Sequence, residues 1–177
     1  MQRAPYLWGP LSAFGFAVAL VAAAIDQASK YYLLHIYDLP SRGQVAIAPF
    51  LDFLFVRNYG ISYGLFQQQG ALGQWVLLAI KAAAVALLWV WLARAGNRLT
   101  ALALGLIVGG ALGNAVDRLI NGWVTDFVLF YAASGTTSGA WRFNWYVFNL
   151  ADVAIVAGVV GLLYESLIRD SGGAQEA

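Results

Sequence analysis

The chain has 177 residues, of which 61% are apolar or aromatic and only 11% charged, against about 25% charged in an ordinary globular domain. Ten basic and nine acidic side chains leave a net charge of +1, so there is no basic footprint for nucleic acid. With no cysteine and one histidine, His35, disulfides, thiolate nucleophiles, zinc–cysteine sites and iron–sulfur clusters are excluded, and poly-histidine metal sites and Ser-His triads are disfavoured.

What remains is an all-α integral membrane protein, a single membrane-embedded domain over residues 1–177. A bilayer core about 30 Å thick takes roughly 20 apolar residues in helical form, and four stretches qualify. The first predicted span is Leu7–Ile25. Arg3 and the run Ala22-Ala23-Ala24 give it the look of a signal peptide, but three further spans make the chain one polytopic unit. Asp26 and Lys30 follow in DQASK, four apart, and a helix-face ion pair accounts for them. His35 reads as a surface or interfacial histidine.

Residues 26–71 form the first predicted extracytoplasmic segment. Within it Gln44–Phe66 is rich in β-branched and aromatic residues, with turn signals at Pro49 and Asn58-Tyr59-Gly60. It predicts a small extracytoplasmic β element, a twisted sheet or hairpin on the bilayer surface. The second span is Leu72–Leu92, with Lys81 near its middle, where a charge is costly. Arg94 and Arg98 occupy the short connection to the third span, and Arg3 and Arg169 the tails. Short basic connections mark the cytoplasmic side, so both termini are expected there.

The third span, Leu99–Ile120, carries Gly105, Gly109 and Gly113, a spacing that lets another helix pack closely. Asn114, Asp117 and Arg118 come next. Asn114 and Arg118 share a helix face, either as a polar clamp between helices or as a substrate-holding surface whose guanidinium donates to a peptide carbonyl. In the second extracytoplasmic segment, 121–146, Ser134–Gly139 gives a loop signal, and Trp141, Phe143, Trp145 and Tyr146 suit the headgroup zone. The fourth span is Val147–Leu167. Asn149 and Asp152 near its start have the spacing of a capping box.

Glu165, Asp170 and Glu176 fall at the inner end. The other six acids, Asp26, Asp38, Asp52, Asp117, Asp126 and Asp152, fall at or beyond the outer face, four of them at the outer end of a span or just past it. If spans three and four pack together, Asp126 and Asp152 approach each other there. Two neighbouring carboxylates share a proton, so one can act as base on a water while the other donates to a carbonyl. That chemistry needs no metal, thiol or histidine, although Asp117 competes with Asp126 for the role. A transporter or channel would instead distribute acids through the membrane depth, and a non-enzymatic scaffold using the glycine face would tolerate Asp→Asn at both positions. One histidine and no HExxH leave a metal-dependent intramembrane protease without ligands.

The ordered set Asp26-Gln27…Lys30, Arg57-Asn58-x-Gly60, Gly109-Gly110-x-x-Gly113-Asn114-x-x-Asp117-Arg118, Asp126-Phe127 and Phe148-Asn149-x-Ala151-Asp152 resembles the bacterial lipoprotein signal peptidases, also called type II signal peptidases. The likeness runs from Asp26 to about Ile155 and includes the four-span layout. It implies an aspartic endopeptidase of the bacterial inner membrane, without cofactor, sufficient as a monomer among membrane lipids. Such an enzyme removes the signal peptide of prolipoproteins just before a diacylglyceryl-modified cysteine, and it is the target of the cyclic peptide globomycin. By motif, Asp126 and Asp152 correspond to the family's dyad, Asn58, Asn114, Arg118 and Asn149 to polar residues lining the site, and Asp26 and Asp117 to supporting positions. Two features depart from the family pattern: Tyr63-Gly64, where many members have Phe followed by Ser or Gly, and a longer 128–146 connection.

Overall fold

A computed structural model of the protein describes residues 7–60, 71–134 and 141–173. Tyr63-Gly64 and most of the 134–139 loop signal lie outside the described residues, as does the side chain of Lys81. The protein is mostly helical, with a small sheet at one end. Among the described residues three helices are long and apolar enough to cross a membrane, Ser12–Ile36, Arg98–Asn121 and Leu150–Ile168.

The first of these is α1, Ser12–Tyr31. The hydroxyl of Ser12 accepts the Gly9 N–H at 2.9 Å, and the helix runs on as a wider π turn over Tyr32–Ile36. It therefore begins five residues later than the predicted first span and continues past its end at Ile25. The reason is that Asp26 and Lys30, which look like the polar boundary of a span, are buried with one another inside the bundle. A short helix, α2 (Leu39–Arg42), follows a turn at Asp38.

The second predicted span is α3, Ala71–Ala93, a helix of 23 residues. The third is α4, Arg98–Asn121, within a residue of its predicted bounds. Asn97 starts it by accepting the Thr100 N–H at 2.8 Å. Gly122 stops it with φ 82, a left-handed conformation that glycine adopts without steric cost. The fourth helix, α5, runs Leu150–Gly173, so Val147 and Phe148, predicted to open the span, belong to a strand instead.

Helix α4 is the centre of the bundle, with α1 and α5 packed against it. A Cβ added at Gly105 would meet the Gly15 carbonyl oxygen at 2.6 Å, and one at Gly109 the Ala19 carbonyl oxygen at 2.5 Å. Gly110 lies against the Ala151 carbonyl, and Gly158 of α5 against that of Ala103. The glycines thus serve close helix packing, as their spacing predicts.

The sheet has four antiparallel strands in the order β1 (Val45–Ala48), β2 (Leu51–Asn58), β3 (Val124–Ser134) and β4 (Trp141–Phe148). The β1–β2 hairpin turns at Pro49 as predicted. The 121–146 segment is more than a loop with membrane-surface aromatics, because β3 and β4 pair from Val128–Phe148 out to Ser134–Trp141. The sheet closes over the π turn of α1 and over α2, burying Leu33, Leu39, Phe127 and Val128 together.

Candidate functional site

Strand β3 leaves α4 through a tight turn, and α5 begins where β4 ends, so Asp126 and Asp152 approach from two sides of the α4 terminus. A β-bulge in β2 between Phe53 and Val56 sets Val56 opposite Asp126 and Asn58 opposite Val124. Asn58 is then the diagonal neighbour of Asp126 on the same face, and its Nδ2 donates to Asp126 Oδ2 at 2.9 Å. The Asn58 Oδ1 accepts the Gly60 N–H at 3.1 Å, which fixes the amide orientation.

Asn149 touches both carboxyl groups. Its Nδ2 donates to Asp126 Oδ1 at 2.6 Å, its Oδ1 accepts the Asp152 N–H at 3.0 Å, and its own N–H donates to Asp152 Oδ2 at 3.2 Å. The last two bonds are the reciprocal pair of a capping box. Capping and proximity to Asp126 are therefore not alternatives. The cap brings Asp152 to the head of α5 while the Asn149 side chain reaches across to Asp126. Asn114, on α4, completes the frame: its Nδ2 donates to Asp152 Oδ1 at 2.9 Å, and its Oδ1 accepts Asn149 Nδ2 at 3.1 Å.

Asp126 is 2% exposed, and it receives neutral amide donors where a surface carboxylate would have water. Burial foremost, with the charge of Asp152 adding to it, pushes its carboxyl up to about 6 against the opposing help of Asn58, Asn149 and Lys30. Desolvation disfavours the charged form, and a like charge does the same.

Asp117 occupies a different station. Its Oδ2 accepts the Thr125 N–H at 2.8 Å and lies 3.0 Å from Lys30 Nζ, while its Oδ1 accepts from Gln27 at 3.1 Å. Those contacts make it a member of an ion cluster with Asp26, whose Oδ2 is 2.7 Å from Lys30 Nζ. Arg118 donates to the Gly60 carbonyl oxygen at 3.1 Å and to that of Asn114 at 3.4 Å, so the peptide carbonyls it holds are internal ones that anchor the chain after β2. All eight residues singled out in the sequence meet at this end of the bundle. Of the six outer acids, Asp38 and Asp52 stand apart, Asp52 accepting from Gln44 at the β1–β2 hairpin.

Sequence reasoning quoted Gln27 in a motif without giving it a role, and it missed the extent of Lys30's contacts. Lys30 Nζ also donates to Asn114 Oδ1 at 3.2 Å, across 84 positions of chain, and helix spacing reports nothing at that separation. Beside Asp152 an apolar cavity of about 460 Å³ runs between the β4 aromatics Trp145, Tyr146 and Phe148 and the α5 residues Val156 and Ala157. Among the described residues no group of three or more His, Cys, Asp or Glu is arranged to hold a metal ion.

Apolar membrane-length helices thus deliver two carboxyl groups bridged by Asn149, one with a raised affinity for its proton, an arrangement capable of acid–base chemistry. A signal peptidase II family signature matches residues 18–168. The lipoprotein signal peptidase of Nitrobacter hamburgensis is 53% identical over 156 residues, 88% of this chain and 92% of that one. The one from Methylorubrum extorquens is 56% identical over 153 residues, 86% of this chain and 85% of that one. A bacterial membrane enzyme solved in meso at 2.3 Å superposes with a TM-score of 0.69 at 22% identity, covering 96% of this chain and 95% of its own, a likeness of fold. The chain belongs to the signal peptidase II family. It is a peptidase of that type, and the transporter and scaffold readings fall away.

Proposed function

We propose that Asp126 and Asp152 are the reacting carboxyl groups of an endopeptidase that removes the signal peptide of prolipoproteins, cutting just before a diacylglyceryl-modified cysteine. The observation that carries this reading is the bridging of the two groups by one residue, Asn149, with Asp126 pushed up to about 6. The reaction uses the pair in its singly protonated form. The ionised member takes a proton from water as its oxygen attacks the scissile carbonyl, and the protonated member donates to the carbonyl oxygen. Collapse of the tetrahedral species returns a proton to the departing amine and restores the pair. Asn58, Asn149 and Asn114 hold the carboxylates in place, and Arg118 holds the strand end that carries Asn58. No cofactor takes part.

In this reading α3 is a fourth membrane span, both termini are cytoplasmic, and the site lies at the extracytoplasmic face of the inner membrane. The substrate's lipid keeps its cleavage point at that interface, and the cavity beside Asp152 offers its acyl chains an apolar wall. A monomer suffices. The test is cleavage of a diacylglyceryl-modified prolipoprotein by purified protein in detergent. Wild type is expected to cut before the lipidated cysteine, and folded Asp126→Asn and Asp152→Asn to be inactive. Full activity in either variant would sink the assignment.

A further inference from the structure

The ion cluster beneath the two reacting aspartates takes no part in the chemistry just described, yet its contacts are aimed at them. Asp26 Oδ1 accepts the backbone N–H of Ala151 at 2.9 Å, and Asp117 Oδ2 accepts the backbone N–H of Thr125 at 2.8 Å. Ala151 is the residue before Asp152, and Thr125 is the residue before Asp126. Each cluster carboxylate therefore grips the main chain one residue short of a reacting group.

Lys30 joins the two grips. Its Nζ lies 2.7 Å from Asp26 Oδ2 and 3.0 Å from Asp117 Oδ2, and it also donates to Asn114 Oδ1 at 3.2 Å. An ammonium has three N–H donors and no acceptor, so all three are used. This last bond has a directional consequence. Because the ammonium can face only the oxygen of the Asn114 amide, the Nδ2 of that amide is turned to Asp152 Oδ1. The reversed amide would set its oxygen against the Asp152 carboxylate and its N–H groups against Lys30 and Asn149. Gly113 leaves the room the cluster needs, since a Cβ there would stand 2.6 Å from Asp26 Oδ2.

Stability alone is a weak reason to keep such a cluster, because apolar replacements of buried ion pairs are often as stable or more so. We propose that Lys30 is a positioning residue for catalysis. Through Asp26 and Asp117 it sets the spacing of the main chains that carry Asp152 and Asp126, and through Asn114 it fixes the amide that donates to Asp152. Its hydrogen bonds and ion pairs go to Asp26, Asn114 and Asp117 and to neither reacting carboxylate, and only its charge reaches Asp126. The inference rests on Asp126 and Asp152 being the reacting pair.

The test is steady-state cleavage of a diacylglyceryl-modified prolipoprotein by the full chain in detergent, with kcat and KM resolved and rates referred to the folded fraction from thermal unfolding. Misplacing a reacting group by about 1 Å costs on the order of a hundredfold. Lys30→Met is therefore expected to lose about a hundredfold in kcat with KM within about twofold. Lys30→Gln, whose amide still donates to an oxygen of the cluster, is expected to recover about tenfold of that loss. A folded Lys30→Met with wild-type kcat overturns the proposal. So does a loss confined to KM, or one that vanishes once the folded fraction is counted. If Lys30→Met does not fold, the neutral pair Asp26→Asn/Lys30→Met, which keeps an oxygen for the Ala151 N–H, is measured in the same way. It is expected to fold with kcat lowered at least tenfold. Full kcat in that pair, or no folded protein in any of the three variants, assigns the cluster to the fold alone. Wild type and Asp126→Asn in the same assay test the underlying reading separately. A wild type that fails to cleave, or an Asp126→Asn that succeeds, removes the reacting pair, whereas the Lys30 variants speak only to its positioning.

Discussion

If Asp126 is a reacting carboxyl group, as proposed, its replacement by asparagine should remove the reaction, and it also relieves the folded state of a buried charge. A carboxyl raised from 3.8 to about 6 carries a cost for ionisation of about 3 kcal/mol, at about 1.4 kcal/mol per pH unit. The sign follows from proton binding. The folded state holds the proton up to about pH 6 and the unfolded chain only to about pH 4. The contribution of Asp126 to wild-type stability is therefore largest below that window and falls as pH rises through it. The substituted amide does not titrate, so the stability of Asp126→Asn relative to wild type should climb between about pH 4 and pH 6 and level off above. Part of the gain is offset. Asn58 and Asn149 each point an N–H at this side chain, and an asparagine can accept only one of them through its oxygen. The mismatch costs about 1–2 kcal/mol. The net expectation is a gain of about 1–2 kcal/mol at pH 8 and a loss of similar size at pH 4, on the order of 2–4 °C in Tm per kcal/mol for a chain this long. Thermal unfolding of both proteins in one detergent, across pH 4 to 8, reads the difference. A Tm difference that does not change with pH, or that shrinks as pH rises, would refute the reasoning.

Asn58→Ala removes an amide that favours the ionised form of Asp126. Asp126, the member with the raised proton affinity, carries the pair's one proton in the reacting form, so the high-pH limb of the kcat profile should move to higher pH by about one unit or more, since a hydrogen bond to a charged group is worth about 1.5–3 kcal/mol. An unmoved limb would exclude Asp126 as the group that limits the rate there. Gly109→Ala sets a methyl 2.5 Å from the Ala19 carbonyl oxygen and 2.8 Å from Ala22 Cβ, and should cost about 1–3 kcal/mol in unfolding measurements. Gly96→Ala, with nothing within 4 Å of the new methyl, should leave stability unchanged. Val156→Trp fills the cavity beside Asp152. It should lower kcat/KM for long-chain diacylated substrate at least tenfold and for a short-chain analogue much less, and equal losses on both would argue that the lipid lies elsewhere.

Much of the architecture is legible because hydropathy measures the quantity a bilayer selects. The α4 bounds, the glycine face and the turn at Pro49 follow from local sequence. The misplacements share a cause. Asp26 and Lys30 look like the edge of a span when counted singly, yet as partners they are buried, so the helix passes through them. Val147 and Phe148 look like the beginning of a span because apolar residues in a half-buried strand and in a membrane helix score alike. Strand β3 was hidden for a related reason. Residues 124–129 are buried on both faces, so the alternation that betrays a half-exposed strand is missing. Within the site, spacing reveals the Asn149–Asp152 cap, whereas the Lys30–Asn114 and Asn58–Asp126 bonds join elements 84 and 68 positions apart and leave no local trace.

The β3–β4 hairpin separates length along the chain from geometry at the reacting pair. Between Asp126 and Asp152 the chain runs out along one strand and back along its partner, and the ladder fastens Val128 to Phe148, two residues beyond the first aspartate and four before the second. From that rung to the outermost pair, Ser134 with Trp141, is about 20 Å at 3.3 Å per residue. Residues gained or lost at the far end alter the reach of the hairpin and leave its root alone. This part of the chain can lengthen, shorten or change its aromatic character while the distance between the two carboxyl groups stays fixed.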